Sequence, residues 1–196
     1  MRYRHIKGAT NEGIVSYNGI IDKAILTKEY YSLEVGVGKG KLISRLAEEN
    51  PGNNYLGIEK NINACYQALK LIKNKELSNV DIIYADANLL LEYIKECSIK
   101  LIYLYFPDPW LKKRYHKRRL TSSSMISLYQ TILVSGGEIE LMSDSEEIYE
   151  EFKSNIYGIF DILVDEAKIK NDLFITDYYE RAAEGCLIYM VRARKI

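Results

Sequence analysis

Three glycines in five residues, Gly36-Val-Gly-Lys-Gly40, follow the β-prone run Tyr31-Ser-Leu-Glu-Val35 and precede a helical pattern that continues through Glu49. Glycine enters the left-handed backbone region without a Cβ penalty, so this cluster lets a strand turn sharply into a helix and lets backbone approach a ligand. The chain then repeats the alternation. Further strands are expected at Asn54 to Glu59, Val80 to Ala85, Lys100 to Phe106, Gly137 to Met142 and Cys186 to Ala193. Helices are expected at Ile62 to Lys73, Leu89 to Glu96, Ser122 to Leu133 and Glu146 to Lys153. Strands separated by helices imply an α/β protein with a parallel, twisted sheet and right-handed crossovers. A chain of 196 residues with 47% hydrophobic composition supports one sizeable core.

In such a sheet, ligands bind outside the carboxyl ends of the strands, near the point where strand order reverses. Acids collect at those ends: Glu34 and the glycine turn, then Glu59, Asp86, Asp108 and Asp144 after successive strands. Glu59 lies 23 residues after Gly36, the spacing at which a carboxylate accepts both hydroxyls of a ribose. A dinucleotide would bring a pyrophosphate to the turn, and Glu34 is an unsuitable neighbour for it. A phosphate-binding loop fails as well, because Leu42 follows Lys41 where a Ser or Thr is required. A carboxylate beside the turn suits a ligand with an amino group and a sulfonium, so S-adenosylmethionine fits better than NAD. Asp86 has two readings, an acceptor for an adenine amino group and an N-cap for the following helix.

Residues 106 to 120 read FPDPWLKKRYHKRRL and join Asp108, held between Pro107 and Pro109, to six Lys and Arg in the eight residues from Lys112 to Arg119. Proline fixes its own φ, so Asp108 is presented on a stiffened backbone. The whole chain has 27 Lys and Arg against 27 Asp and Glu, and no global field attracts a polyanion. Affinity for nucleic acid must therefore come from this local strip. Trp110 is read as a stacking surface or a hydrophobic plug. Cys65, Cys97 and Cys186 are too widely spaced for a zinc site, and no metal is expected. No segment approaches the roughly 18 apolar residues that span a bilayer, and a reducing cytoplasm is the expected location.

These residues together resemble the bacterial tRNA (guanine-N7)-methyltransferases. The likeness runs from Met1-Arg-Tyr-Arg-His-Ile-Lys7 through Glu34-Val-Gly-Val-Gly-Lys-Gly40, Asn54-Tyr-Leu-Gly-Ile-Glu59 and Phe106 to Leu120, and on to Ile175-Thr-Asp-Tyr178. It implies a single-domain doubly wound fold of the class I (Rossmann-like) methyltransferase type. The sheet would have seven mostly parallel strands with an antiparallel edge strand. An N-terminal arm over residues 1–30 would pack on a methyltransferase domain over 31–196. The implied activity is transfer of the methyl group of S-adenosylmethionine to N7 of a guanine in the tRNA variable loop, by a monomer or homodimer with no membrane or metal partner. The alternative is a non-catalytic RNA-binding subunit of the same fold.

By matching positions, Glu34, Gly36, Gly38, Gly40, Glu59, Asp86, Ala87 and Asp108 would hold the cofactor, and Asp108 would also be the catalytic carboxylate. Lys112, Asp144, Thr176, Tyr179 and Glu180 would meet the substrate. Arg114, His116, Lys117, Arg118 and Arg119 would contact RNA, with Arg2, Arg4 and His5 extending the strip. Asp144 reads equally as the N-cap of the helix after it. Leu111 stands where the family commonly has proline, Ser143 where it has threonine, and in Thr176-Asp-Tyr-Tyr-Glu180 the family's glutamate is either displaced by one residue to Glu180 or replaced by Tyr179.

Overall fold

The computed structural model describes residues 15–16, 23–169 and 186–196. Its strands are β1 (Val15–Ser16), β2 (Tyr30–Val35), β3 (Tyr55–Glu59), β4 (Val80–Tyr84), β5 (Ile99–Tyr105), β6 (Leu133–Ser143), β7 (Phe160–Ile169) and β8 (Leu187–Lys195). Its helices are α1 (Lys23–Thr27), α2 (Lys41–Glu49), α3 (Ile62–Asn74), α4 (Ala87–Leu90), α5 (Ser123–Ile132) and α6 (Glu146–Ile156). Short 3-10 turns cover Leu91–Tyr93 and Lys113–Arg118.

The strands form one sheet in the order β1-β4-β3-β2-β5-β6-β8-β7. All neighbours are parallel except at β8, which runs antiparallel to both β6 and β7. Seven strands are thus joined by a two-residue β1 pairing beside β4. The chain moves outward from β2 to β3 and β4, then returns to place β5 against the other side of β2. This is the reversal that opens a crevice beyond the ends of β2 and β5.

Adjacent residues on a strand point to opposite faces, and Ile82 and Ile83 accordingly belong to different apolar clusters. One cluster joins Leu33, Leu56, Ile83, Ile102 and Ile139 to Met125 and Ile126 of α5 and Phe152 of α6. The other joins Tyr55 and Ile82 to Ile43 and Ala47 of α2 and Cys65 and Ala68 of α3. Every residue of β3 is buried, as a central parallel strand covered on both faces requires. Asn61 starts α3 by accepting from the Asn63 and Ala64 amides.

Three expectations change. An outer strand is added, because β7 forms the edge beyond β8 and pairs antiparallel with it. That strand escapes the sequence pattern because a register shift between Ile162 and Val164 breaks its two-residue period and leaves Ile162 and Leu163 both exposed. The helix expected from Leu89 to Glu96 is one α turn from Ala87 followed by a 3-10 turn. Finally, β6 begins at Leu133, immediately after α5, and its Gly136 has φ of 68°.

Gly40 is where α2 meets α3. Its φ is 76°, and a Cβ there would lie 2.8 Å from the Ala68 Cβ and 3.1 Å from the Ala68 Cα. We expect Gly40→Ala to lower stability by about 1–3 kcal/mol. A urea midpoint measurement checks this against Gly52→Ala, where a Cβ meets nothing within 4 Å.

Candidate active site

Beyond the carboxyl ends of β2, β3, β4 and β5 lies a cavity of about 680 Å³, lined by residues that include Gly36, Glu59, Lys60, Asp86, Asp108 and Trp110. That volume lies within the range of roughly 300–1,000 Å³ typical of ligand sites. Ala87 and Tyr105 also line it.

The glycine turn is built as the sequence implies, with φ of 88°, 55° and 76° at Gly36, Gly38 and Gly40. Gly36 reaches the cavity, whereas Gly38 and Gly40 shape the turn behind it. Glu59 is 7% exposed and braces that turn. Its Oε2 accepts from the Gly38 amide at 2.9 Å and its Oε1 from the Asn61 amide at 2.7 Å. Burial raises the Glu59 pKa, while the Asn61 and Gly38 amides oppose the rise.

Glu34 stands behind the cavity wall rather than in it, although Val35 and Gly36 next to it are lining residues. It is buried, and its Oε2 has no hydrogen-bond partner. Burial pushes its pKa up from 4.5 to about 8, against the pull of the Ile43 amide and with a further push from Glu59. Asp86 is an N-cap that also stands at the cavity. Its carboxylate caps α4 by accepting from the Asn88 amide at 3.0 Å.

The β5 exit is strained. Phe106 and Trp110, the residues on either side of Pro107-Asp108-Pro109, have φ of 50° and 41°. Bulky side chains disfavour that region, and each such residue costs about 1–3 kcal/mol unless its surroundings hold it. The surroundings do so at both ends. The Phe106 amide donates to the Met142 carbonyl at 2.7 Å, and the Arg119 Nε donates to the Pro109 carbonyl at 2.8 Å. Asp108 caps no turn among the described residues. It is exposed and pairs with Lys60 Nζ at 3.2 Å. Lys60 Nζ also lies 4.9 Å from the centre of the Trp110 ring, and Trp110 packs on Tyr115 at 5.7 Å.

Arg119 requires a correction. It was expected to contact RNA, yet it is 1% exposed with its donors committed within the protein. Besides Pro109, it donates to Glu147 at 2.7 Å, to Glu151, and pairs with His116 Nε2 at 2.9 Å. A guanidinium reaches its partners bidentately from a fixed fork, so Arg119 ties the basic segment to α6. His116 is half-buried beside it, 3.8 Å from Glu147. Lys112, Arg114, Lys117 and Arg118 are exposed. The Arg114 and Arg118 guanidiniums lie over the Tyr115 ring at 4.7 and 5.2 Å.

Asp144 is exposed at the end of β6 and is not the cap of α6. Ser145 is, accepting from the Ile148 amide at 3.4 Å. Thr176, Tyr179 and Glu180, with Arg2, Arg4 and His5, lie outside the described residues. Lys60, Tyr105, Phe106 and Leu89 line the cavity but were missed in the sequence. Lys60 has one signal there, its place directly after the strand-end Glu59.

A family model described as "Putative methyltransferase" matches residues 28–184. A tRNA (guanine-N(7)-)-methyltransferase from Mesomycoplasma hyopneumoniae strain J is 40% identical over 150 residues, 76% of this chain and 74% of that protein. Another from Brevibacillus brevis is 31% identical over 210 aligned residues, covering 98% of each. The chain belongs to the tRNA (guanine-N7)-methyltransferase family. A solved structure of a SAM-dependent O-methyltransferase from Thermotoga maritima aligns with a TM-score of 0.59 at 20% identity, covering 89% of this chain and 63% of that one. That last likeness concerns the fold alone.

S-adenosylmethionine fits the residues of this methyltransferase. Carboxylates line the cavity at Glu59, Asp86 and Asp108, so the site suits a cation. The buried Glu34 also sets a pH dependence. Between pH 4.5 and about 8 the folded chain keeps a proton that the unfolded chain has released. The resulting stability is complete below the unfolded pKa and is lost as pH rises through the folded one. Urea midpoints measured from about pH 5 to pH 9 should fall in the wild type and fall less steeply in Glu34→Gln. Parallel slopes would show that Glu34 holds no such proton.

Proposed function

We propose that this chain transfers the methyl group of S-adenosylmethionine to N7 of a guanine in the tRNA variable loop. The observation that carries the reading is the strained Pro-Asp-Pro turn, which presents Asp108 and Trp110 at the rim of a carboxylate-lined cavity and continues into an exposed strip of cations.

When bound, S-adenosylmethionine supplies an electrophilic methyl on a sulfonium. Glu59, Asp86, Gly36 and Ala87 line the space that would receive it, with Glu34 behind. Guanine N7 carries an exposed lone pair and no proton, so no residue of this chain need act as a base. Aligning N7 with the methyl at roughly 3–3.5 Å lowers the barrier by prior orientation. The purine becomes cationic as the new bond forms. A carboxylate at Asp108, accepting from the guanine N1 and N2 hydrogens, then stabilises the transition state more than the ground state. Lys112 and Asp144, with Thr176, Tyr179 and Glu180, make up the proposed substrate set. Arg114, Lys117 and Arg118 are the backbone contacts, with His116 at the edge of the strip. The arm over residues 1–30 would extend this surface.

Incubation with labelled S-adenosylmethionine and bulk tRNA, followed by mass identification of the nucleoside, tests the reading directly. N7-methylguanosine is expected, and a different methylated nucleoside would overturn it. Asp108→Asn should slow methyl transfer by about a hundredfold while cofactor affinity stays within a few-fold. An unaltered rate at saturating tRNA would remove Asp108 from catalysis.

Two adjacent arginines should separate by phenotype. Arg118→Ala should weaken tRNA binding and reduce the log–log salt slope by about 0.7–0.9, with stability unchanged. Arg119→Ala should instead lower stability by about 1–3 kcal/mol, because it removes a buried guanidinium that holds the Pro109 carbonyl and two partly exposed glutamates. Salt titration of tRNA binding and thermal melts of both variants provide the comparison.

A further inference from the structure

Lys60 holds two groups at once, the Asp108 carboxylate at 3.2 Å and the face of Trp110 at 4.9 Å. It rises from the first position after β3, beside Glu59, and lines the same cavity. A carboxylate joined to an aromatic face is a receptor for a flat cation, since the ring quadrupole and the carboxylate both favour positive charge. Methyl transfer creates such a cation. The N7 lone pair forms the new C–N bond while the C–S bond breaks with its electron pair left on sulfur. Positive charge therefore passes from the donor to the purine, and no proton leaves N7. The product therefore fits Asp108 and Trp110 better than the substrate does, and a site so built would retain it.

We propose that Lys60 is a resident competitor for the methylated purine: its ammonium occupies the Asp108 carboxylate and the Trp110 face in the empty site and reclaims both as the product departs. This inference rests on the purine position proposed above. The geometry suits a contact that yields and returns. The Lys60 and Asp108 side chains are 52% and 64% exposed, and pairs that exposed are held weakly. A neutral guanine gives up little by displacing Lys60, because it brings its own N–H donors and stacking face. The cationic product competes with Lys60 for the same electrostatic attraction, so its retention is selectively lowered. Arg118 also faces the indole, its Cζ 5.7 Å from the centre of the Trp110 ring.

Trp110 is the single tryptophan of the chain, so its fluorescence reports this site alone. The test titrates the full chain with guanosine and with 7-methylguanosine, in the wild type, Lys60→Met and Lys60→Arg. Lys60→Met should tighten 7-methylguanosine binding by about three- to tenfold, the range of an exposed ion pair and cation–π contact, and tighten guanosine less than about twofold. Lys60→Arg, which restores the cation, should return both affinities toward the wild type. In multiple turnover on tRNA, Lys60→Met should lose more in kcat than in the single-turnover rate, because release has slowed. Equal shifts for the two nucleosides, weaker 7-methylguanosine binding, or an Arg variant that behaves like Met would overturn the proposal. If neither nucleoside perturbs Trp110 while N7 methylation of tRNA proceeds, this inference fails and the proposed function stands. If no N7 methylation occurs either, both fail.

Discussion

A carboxylate buried at the end of a central strand has to find donors or take up a proton, and Glu59 finds two donors. Its oxygens accept from the Gly38 and Asn61 amides, so one side chain closes the glycine turn after β2 and the entry to α3 after β3. Both amides belong to backbone that leaves the sheet at its carboxyl edge. Such groups lack a ladder partner, and buried backbone donors are almost always paired. Glu59 meets that need from within the cavity wall. Gly36 and Lys60 stand at the rim beside this brace, with the buried Glu34 behind them.

The opposite wall is built by a different device. The Pro107-Asp108-Pro109 turn is flanked by two aromatic residues at positive φ, and its ends are held by the Met142 carbonyl and the Arg119 guanidinium. Arg119 in turn depends on Glu147 and Glu151 of α6. The Pro107-Asp108-Pro109 loop is thus tied to α6, and packing of α6 against the core through Ile148 and Phe152 supports a turn at the cavity rim. Strain is retained at the loop because neighbouring elements hold it, which keeps Asp108 and Trp110 in place before a substrate arrives.

The cationic strip divides into two classes that composition does not distinguish. Arg119 is structural, with its charge met inside the protein. Lys112, Arg114, Lys117 and Arg118 keep their charged ends at the surface, and Arg114 and Arg118 lie against Tyr115. An arginine resting on a ring is held near one orientation and still has in-plane donors to offer a phosphate. A net charge of zero over the whole chain leaves this patch as the local attraction for a polyanion.

The sequence by itself determined the doubly wound sheet, the glycine turn and the acids at the strand ends. Each depends on local periodicity or on a backbone preference carried by the residue in question. It also determined that Asp108 would sit on a stiff turn, since proline fixes φ wherever it occurs. Tertiary structure alone decided that Glu34 lies behind the cavity, that Arg119 is interior, that Ser145 rather than Asp144 caps α6, and that β7 lies outside β8. It alone brought Lys60 to Asp108, 48 residues away. Burial and pairing of a charged side chain depend on what the fold places around it, and neighbours distant in the chain leave no periodic trace. A bulged edge strand such as β7 likewise loses the alternation that would mark it.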